Sequence, residues 1–141
     1  MPPQRQLQLQ STITSQGKLE IALAEVAMPE PKDNEVVVRI DATPINPSAL
    51  GLLFGAADMS TAKIGGSGNS PTLTADVPAG LMKSMAGRLD QNLPVGNEGA
   101  GVVVAAGASE AAQALMGQNV AIIGGAMYAQ YRAVRADQCL V

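Results

Sequence analysis

Alternation of apolar and polar residues dominates the beginning of the chain. Leu7, Leu9 and Ile13 occupy odd positions and glutamines fill the positions between them, a period of two that is typical of a half-buried strand at the edge of a sheet. The alternation returns in 19–26, and after a proline-rich turn segment a third apolar run covers 35–42. The pattern predicts three strands, of which the second and third pair as antiparallel neighbours.

A helix start follows the third predicted strand. The side chain of Asn46 can accept hydrogen bonds from the first free amides of a helix. Pro47 suits the first helical position, because the N–H that proline lacks would have no partner within the helix. An apolar run then continues to Phe54 and stops at Gly55. These residues predict about two turns of helix with Asn46 as the N-cap.

The segment 56–92 interrupts the β pattern and is interpreted as an insertion. Its glycine-rich part, 65–71, is predicted to form a loop. A helix is predicted around residues 76–90, with Asp76 as its N-cap and apolar residues at every fourth position. These residues are Val77, Leu81, Met85 and Leu89. We expect this stripe to pack on the core, and the alternative is a lid or a partner surface.

Strands return in the last third of the chain. Apolar runs at 102–106 and 119–123 each end at glycine, and 127–141 predicts one or two more strands around a turn at Ala136 and Asp137. The sequence shows no internal repeat and no linker. The predicted fold class is therefore mainly β, in a single domain spanning 1–141.

The composition excludes several classes of function. A net charge of -3 with 15% charged residues gives no basic surface for nucleic acid or for an anionic membrane. The sequence contains no apolar run of about 18 residues, so no membrane span is predicted. The first residues lack the pattern of a secretory signal. With one cysteine, a disulfide framework is excluded. A cytoplasmic protein is the expectation.

The residues needed for two common kinds of site are missing. Histidine is absent and Cys139 is the only cysteine, so no metal site is predicted. A dinucleotide-binding fingerprint requires glycine at the first, third and sixth positions between a strand and a helix. The segment 99–101 has Val104 at the sixth position and continues into a strand pattern. The chain carries no recognisable nucleotide site.

Three motifs in order resemble a known family. They are Ile45-Asn46-Pro47-Ser48, Gly96-Asn97-Glu98-Gly99-Ala100-Gly101 and Gly124-Gly125-Ala126-Met127-Tyr128-Ala129-Gln130-Tyr131. Together they resemble the N-terminal, GroES-like domain of the medium-chain dehydrogenase/reductase superfamily. The resemblance implies a partly open β-barrel that includes the 56–92 insertion, and a Rossmann cofactor domain that is absent from this chain.

The resemblance also implies a branch of the family and a reaction. Asn97 stands where the zinc-dependent enzymes have a histidine ligand, and an amide is a poor ligand for zinc. The zinc-independent quinone and enoyl reductases transfer hydride from NADPH or NADH to quinones or conjugated carbonyl compounds. This chain would be the substrate-side half of such an enzyme, inactive alone, with a small-molecule substrate and the missing Rossmann domain as partners. Homo-oligomerisation is left open, and a non-enzymatic GroES-like binding or assembly module is the alternative.

The family's site residues carry over onto few positions. The resemblance places Asn46 near the nicotinamide and the substrate, whereas the alternative interpretation makes it only a helix cap, and both can hold. Tyr128 is a structural strand residue or, alternatively, a phenol that faces the cleft. Glu98 is expected to accept backbone N–H groups, with a catalytic role as the alternative, and Cys139 to be an inert buried thiol. Ala49 replaces the aspartate that often ends the family's first motif, and no tyrosine follows the short helix.

Overall fold

The computed structural model describes residues 3–141, which form ten strands, two α-helices and two 3₁₀ helices. The elements are β1 (Arg5–Ile13), β2 (Lys18–Ala27), β3 (Glu35–Ala42), α1 (Pro47–Phe54), β4 (Asp58–Ser67), β5 (Ser70–Asp76), a 3₁₀ helix (Ala79–Arg88), β6 (Leu93–Pro94), β7 (Glu98–Ala106), α2 (Glu110–Gln113), β8 (Asn119–Ile123), β9 (Tyr131–Arg135), a second 3₁₀ helix (Ala136–Gln138) and β10 (Cys139–Leu140). The chain is mainly β, as the sequence predicts.

The chain divides into two compact units. Unit 1 contains the residues up to Gln8 together with Glu25–Pro44 and Gly96–Val141. Its sheet has the strand order β10-β8-β7-β3-β9, and the pairs within it are antiparallel. The buried side chains of its core come from every strand of the sheet except β10, from α2, from the second 3₁₀ helix and from the loop after β8. They include Val36, Val38, Val103, Val120, Ile122, Met127 and Val134.

Unit 2 contains Leu9–Ala24 and Ile45–Val95. Its sheet has the order β4-β5-β2-β1-β6, so β1 lies between β2 and the two-residue strand β6. The prediction of an edge position for β1 is therefore wrong, because β6 follows from a distant part of the chain and covers it. Ile13, Leu19 and Ile21 form the buried centre of this unit, and the side chains of α1 pack against them.

The short helix after Asn46 is confirmed. α1 ends before Gly55, whose φ of 56° lies in the left-handed region that favours glycine. A Cβ atom there would approach the Met85 sulfur at 3.1 Å. The sequence therefore located both ends of this helix correctly.

The predicted pairing of the second and third strands is wrong. β2 pairs with β5, whereas β3 lies between β7 and β9. Three consecutive residues of β3, Val36, Val37 and Val38, are at most 2% exposed, as expected for a central strand that is covered on both faces. A strand with this burial pattern needs a neighbouring strand on each side. The connection from β2 to β3 has seven residues and contains prolines, so it does not form a tight hairpin.

The glycine-rich part of the insertion is a hairpin, not a loop. β4 and β5 pair antiparallel around a two-residue turn at Gly68 and Asn69. Gly66 and Gly68 have φ values of 79° and 52°, and a Cβ atom on Gly66 would lie 2.1 Å from the Ser70 carbonyl oxygen. These glycines allow the two strands to meet at so short a turn, because glycine adopts left-handed backbone conformations without steric cost.

The helix predicted around residues 76–90 is also different in the structure. Asp76 ends β5 and forms an ion pair with Lys18, so it is not a cap, and the N-cap position belongs to Pro78. The helix that follows is of the 3₁₀ type, with three residues per turn. Met82 and Met85, three residues apart, pack on the core of unit 2, and Leu81 is 47% exposed. Three of the four stripe residues, Val77, Met85 and Leu89, pack on the core of unit 2 as predicted, although Val77 and Leu89 lie just outside the 3₁₀ helix.

Candidate functional site

The glycine-rich motif 96–101 begins β7, so the strand starts four residues earlier than predicted. Gly96 has a φ of 98°, and a Cβ atom there would lie 2.7 Å from the backbone nitrogen of Tyr128. At Gly101 a Cβ atom would lie 1.8 Å from the Arg39 carbonyl oxygen. These glycines let the chain approach its own backbone, which explains the motif without a phosphate ligand.

A pocket of about 810 Å³ lies beside this motif in unit 1. Its volume is in the range of small-molecule sites, and its wall is predominantly apolar. Glu98 contributes a half-buried carboxylate, and Ile123 is 79% exposed at its edge. The lining residues are Ala42, Thr43, Pro44, Glu98, Gly99, Ala100, Ala121, Ile122, Ile123, Gln138 and Leu140.

Two side-chain hydrogen bonds hold the wall segment 42–44 in place. The Thr43 hydroxyl donates to the Glu98 carbonyl oxygen at 2.7 Å. The phenol of Tyr128 donates to the Pro44 carbonyl oxygen at 3.1 Å. The half-buried side chain of Tyr128 thus stabilises the pocket wall through this hydrogen bond. Its catalytic role stays a prediction.

The loop that carries Tyr128 is held by Arg132. The Arg132 guanidinium donates from Nε to the Gly125 carbonyl oxygen at 2.8 Å. The next residue, Ala126, has a φ of 63°, in the left-handed region that disfavours a residue with a Cβ atom. The loop therefore contains local backbone strain beside the pocket.

Replacing Ala126 with glycine is expected to raise the free energy of unfolding by about 0.8 kcal/mol. Relief of the left-handed strain contributes roughly 1–2 kcal/mol, and the greater freedom of glycine in the unfolded chain offsets about 0.4–1 kcal/mol of it. The matched control is Ala114→Gly, at an exposed position with ordinary helical dihedrals, which should lower stability. Urea unfolding of both variants decides the point, and equal losses in the two would contradict it.

Asn46 lies in unit 2, at the N-cap position of α1. Its backbone is extended, with φ -85° and ψ 148°, and its carbonyl oxygen accepts a hydrogen bond from the Ala49 N–H at 2.9 Å. The side chain makes no capping hydrogen bond, so the predicted side-chain cap is wrong. Pro47, which already lacks an N–H, begins the helix. Capping therefore does not account for the asparagine at this position.

Cys139 is half-buried, and its position pairs with Ile122 across β10 and β8. Burial raises the pKa of its thiol, and the negative charge of Asp137 raises it further. The thiol is therefore protonated at neutral pH, and a protonated thiol is a poor nucleophile and a poor metal ligand. The thiol is less buried than the sequence predicted, and its inertness stays a prediction.

Zinc is expected to be absent from the purified chain. Within residues 3–141, no group of three or more histidine, cysteine or carboxylate side chains could hold a metal ion. The chain has no histidine and one cysteine, so it lacks the ligands that tight zinc sites use. Elemental analysis after gel filtration should find far less than one zinc per chain. A stoichiometric zinc that survives a chelator would contradict the assignment.

Sequence reasoning did not find Thr43 or Ile123 as pocket residues. Thr43 follows the third predicted strand without any motif of its own, and Ile123 was assigned only to a strand. The structure brings them to Glu98 through the pairing of β7 with β3 and β8. Among residues 3–141, no helix is long and apolar enough to cross a bilayer.

Solved structures with the same fold are found. A protein described as a candidate NADPH:quinone reductase from Mesorhizobium loti superposes with a TM-score of 0.60 at 20% identity, over 99% of this chain and 37% of that one. The quinone oxidoreductase from Coxiella burnetii gives 0.60 at 16% identity, over 96% and 36%. The JamJ enoyl reductase gives 0.55 at 18% identity, over 96% and 34%. The chain spans about a third of the length of these proteins.

Neither a protein-family model nor a curated protein sequence matches the chain. The likeness is therefore one of fold. It confirms the GroES-like fold that the sequence predicted.

Proposed function

We propose that this chain is the substrate-side part of a zinc-independent, NAD(P)H-dependent oxidoreductase of the medium-chain dehydrogenase/reductase superfamily, acting on quinones or conjugated carbonyl compounds. The observation that carries the proposal is the superposition of nearly the whole chain on about a third of a quinone reductase. Two of the three sequence motifs support it, because Asn46 is the residue that precedes α1 and Glu98, Gly99 and Ala100 line a pocket. A cytoplasmic location belongs to the same proposal.

The proposed chemistry needs hydrogen-bond donors rather than a metal. A conjugated carbonyl group is already electrophilic, and a donor at its oxygen stabilises the enolate or phenolate that develops as hydride arrives. The side-chain amide of Asn46 is such a donor, at the start of a helix whose N-terminal dipole also favours developing negative charge. Asn46 would therefore orient the carbonyl oxygen and stabilise charge on it.

The residues of this chain do not fit the nucleotide part of NADPH. Pyrophosphate binding requires backbone N–H groups that face a ligand at a glycine-rich helix start. The glycines of 96–101 approach the chain's own backbone, and those of 65–68 belong to the β4–β5 hairpin. We therefore expect a second, Rossmann domain to hold the cofactor, and we assign no step through NADPH to residues of this chain.

Titration of the 141-residue chain with NADPH is expected to show no saturable binding at micromolar concentrations. The reason is the absence of a phosphate cradle among the described residues. Isothermal calorimetry is the measurement, and a dissociation constant near 1 μM, equivalent to about -8 kcal/mol, would show that a nucleotide site exists here.

Nuclear magnetic resonance separates the substrate-side role from that of a non-enzymatic assembly module. Menadione, a naphthoquinone, should shift resonances of Asn46 and its neighbours, with an affinity in the millimolar range or tighter. 2-Methylnaphthalene, which has the same ring system without the carbonyl groups, is the control ligand and should leave the Asn46 side-chain amide unshifted. Identical shift patterns for the two compounds, or none for menadione, would overturn the proposal.

A further inference from the structure

A half-buried arginine lies at the end of α1 opposite to Asn46. Arg88 is the last residue of the 3₁₀ helix Ala79–Arg88 and reaches α1 across unit 2. Its Nη1 donates to the Leu52 carbonyl oxygen at 2.8 Å, and its Nη2 donates to the Ser11 hydroxyl at 3.0 Å. The Ser11 hydroxyl in turn donates to the Leu53 carbonyl oxygen at 2.7 Å. Arg88 and Ser11 thus satisfy two carbonyls of the last turn of α1.

The last turn of α1 has no basic residue of its own. The final carbonyls of a helix lack partners within the helix and carry the negative end of its dipole, so a cation there is favourable. Arg88 supplies that cation from 34 or more residues along the chain. The contact is a substitute C-cap that comes from another element.

Two hydrogen bonds orient the Arg88 guanidinium towards α1 and Ser11. Ser11 is fully buried, and Arg88 Nε is buried without a hydrogen-bond partner among the described residues, so only the two terminal nitrogens face acceptors. Burial lowers the pKa of the Arg88 guanidinium from its ordinary value. A Cβ atom on Gly55 would lie 3.4 Å from Arg88 Nη1, so glycine at the helix end also leaves the room that this contact uses.

We propose that Arg88 is a positioning residue for Asn46. Its hydrogen bond to the Leu52 carbonyl oxygen, together with the Ser11 hydroxyl that bonds to Leu53, sets the position of α1 along the helix axis. The position of the helix in turn sets the position of the Asn46 amide at its other end. α1 has eight residues and is therefore about 12 Å long. Over that distance a helix moves as a rigid rod, so a displacement of its last turn is transmitted to its first. This inference rests on the proposed function only for its consequence in catalysis.

The first test uses the 141-residue chain and needs no activity. Arg88→Met removes both donors and keeps a long apolar side chain. Under conditions where the variant is folded, we expect the side-chain amide resonances of Asn46 to shift and the amide of Gly55 to exchange faster with solvent. The matched control is Arg5→Met, because Arg5 also donates to a carbonyl oxygen, that of Glu25, but is exposed in unit 1. An Asn46 shift no larger than in the control would overturn the inference.

Ser11→Ala keeps the test decisive if Arg88→Met does not fold. It deletes the bridge to Leu53 and one acceptor of Arg88 without changing charge or bulk appreciably, and should shift the Asn46 amide in the same direction. Unchanged Asn46 resonances in this variant would also overturn the inference.

The second test follows turnover in a polypeptide that joins these residues to a cofactor domain. Arg88→Met should lower kcat about tenfold to a hundredfold, as expected for a misplaced group near the reacting atoms, and leave the KM for NAD(P)H unchanged. If the wild-type protein shows no reductase activity, the proposed function fails, whereas the resonance test of Arg88 stands on its own. Normal kcat in an active protein whose Asn46 amide has shifted would show that the displacement has no catalytic consequence, and would remove that part of the inference.

Discussion

Substitution of Gly101 with alanine is expected to destabilise the protein by roughly 3 kcal/mol or more, a large share of the 5–15 kcal/mol typical of a folded domain. The added Cβ atom would lie 1.8 Å from the Arg39 carbonyl oxygen and 2.8 Å from its carbon. These are backbone atoms of β3, so no side-chain rotation relieves the contact. The pairing of β3 with β7 must open at the bulge between Ile40 and Ala42.

Gly125→Ala is the matched control in the same unit. No atom lies within 4 Å of a Cβ atom built there, and its φ is not in the left-handed region, so we expect a change within about 0.5 kcal/mol. Chemical unfolding followed by circular dichroism gives both values. If the Gly101 variant were as stable as the Gly125 variant, the close approach of β3 and β7 described here would be incorrect.

Substitution of Asn46 with serine is expected to leave the fold intact and to lower turnover about tenfold to a thousandfold in a polypeptide that contains the cofactor domain. Loss of one hydrogen bond to the developing oxyanion corresponds to that range, at about 1.4 kcal/mol per factor of ten. The structure sharpens this prediction, because the Asn46 side chain makes no capping hydrogen bond. A fall in stability through loss of a cap is thus not expected to confuse the kinetic result.

The kinetic measurement uses a quinone and an enone as substrates, with thermal melts of each variant. Asn69→Ser, the same exchange at an exposed position in the β4–β5 turn, serves as the control and should leave turnover unchanged. Full activity in a stably folded Asn46→Ser protein would reduce Asn46 to a structural residue, and the main site assignment of the proposed function would be lost.

Local signals in the sequence were sufficient for single elements. β8 was predicted at 119–123 and is found there, because a short apolar run between two turns leaves little choice of conformation. α1 was predicted from the residues at its two ends, Asn46 and Pro47 at the start and Gly55 after the last residue. The pairing of strands was not predictable in this way. β3 lies beside β7 and β9, which follow it by more than 50 residues, and nothing local encodes those partners.

The candidate functional residues were likewise predictable only where a local motif contains them. The motifs located Asn46 and Glu98, since each belongs to a recognisable run of residues. The pocket wall and the contact of Arg88 with α1 depend on tertiary packing: Arg88 contacts the carbonyl of Leu52, 36 residues away, and the hydroxyl of Ser11, 77 residues away. The predicted apolar stripe at 76–90 does not include Arg88, so the sequence pattern gave no indication of this contact.

The location of both tyrosines in unit 1 has a practical consequence for following the two units separately. The chain has no tryptophan and two tyrosines, and both Tyr128 and Tyr131 lie in unit 1. Ultraviolet emission excited at the phenol band therefore originates from unit 1, whereas unit 2 has Phe54 as its only aromatic side chain. A melting curve recorded by phenol emission reports unit 1, and a curve recorded by far-ultraviolet dichroism reports both units. Coincident curves would show that the two units unfold together.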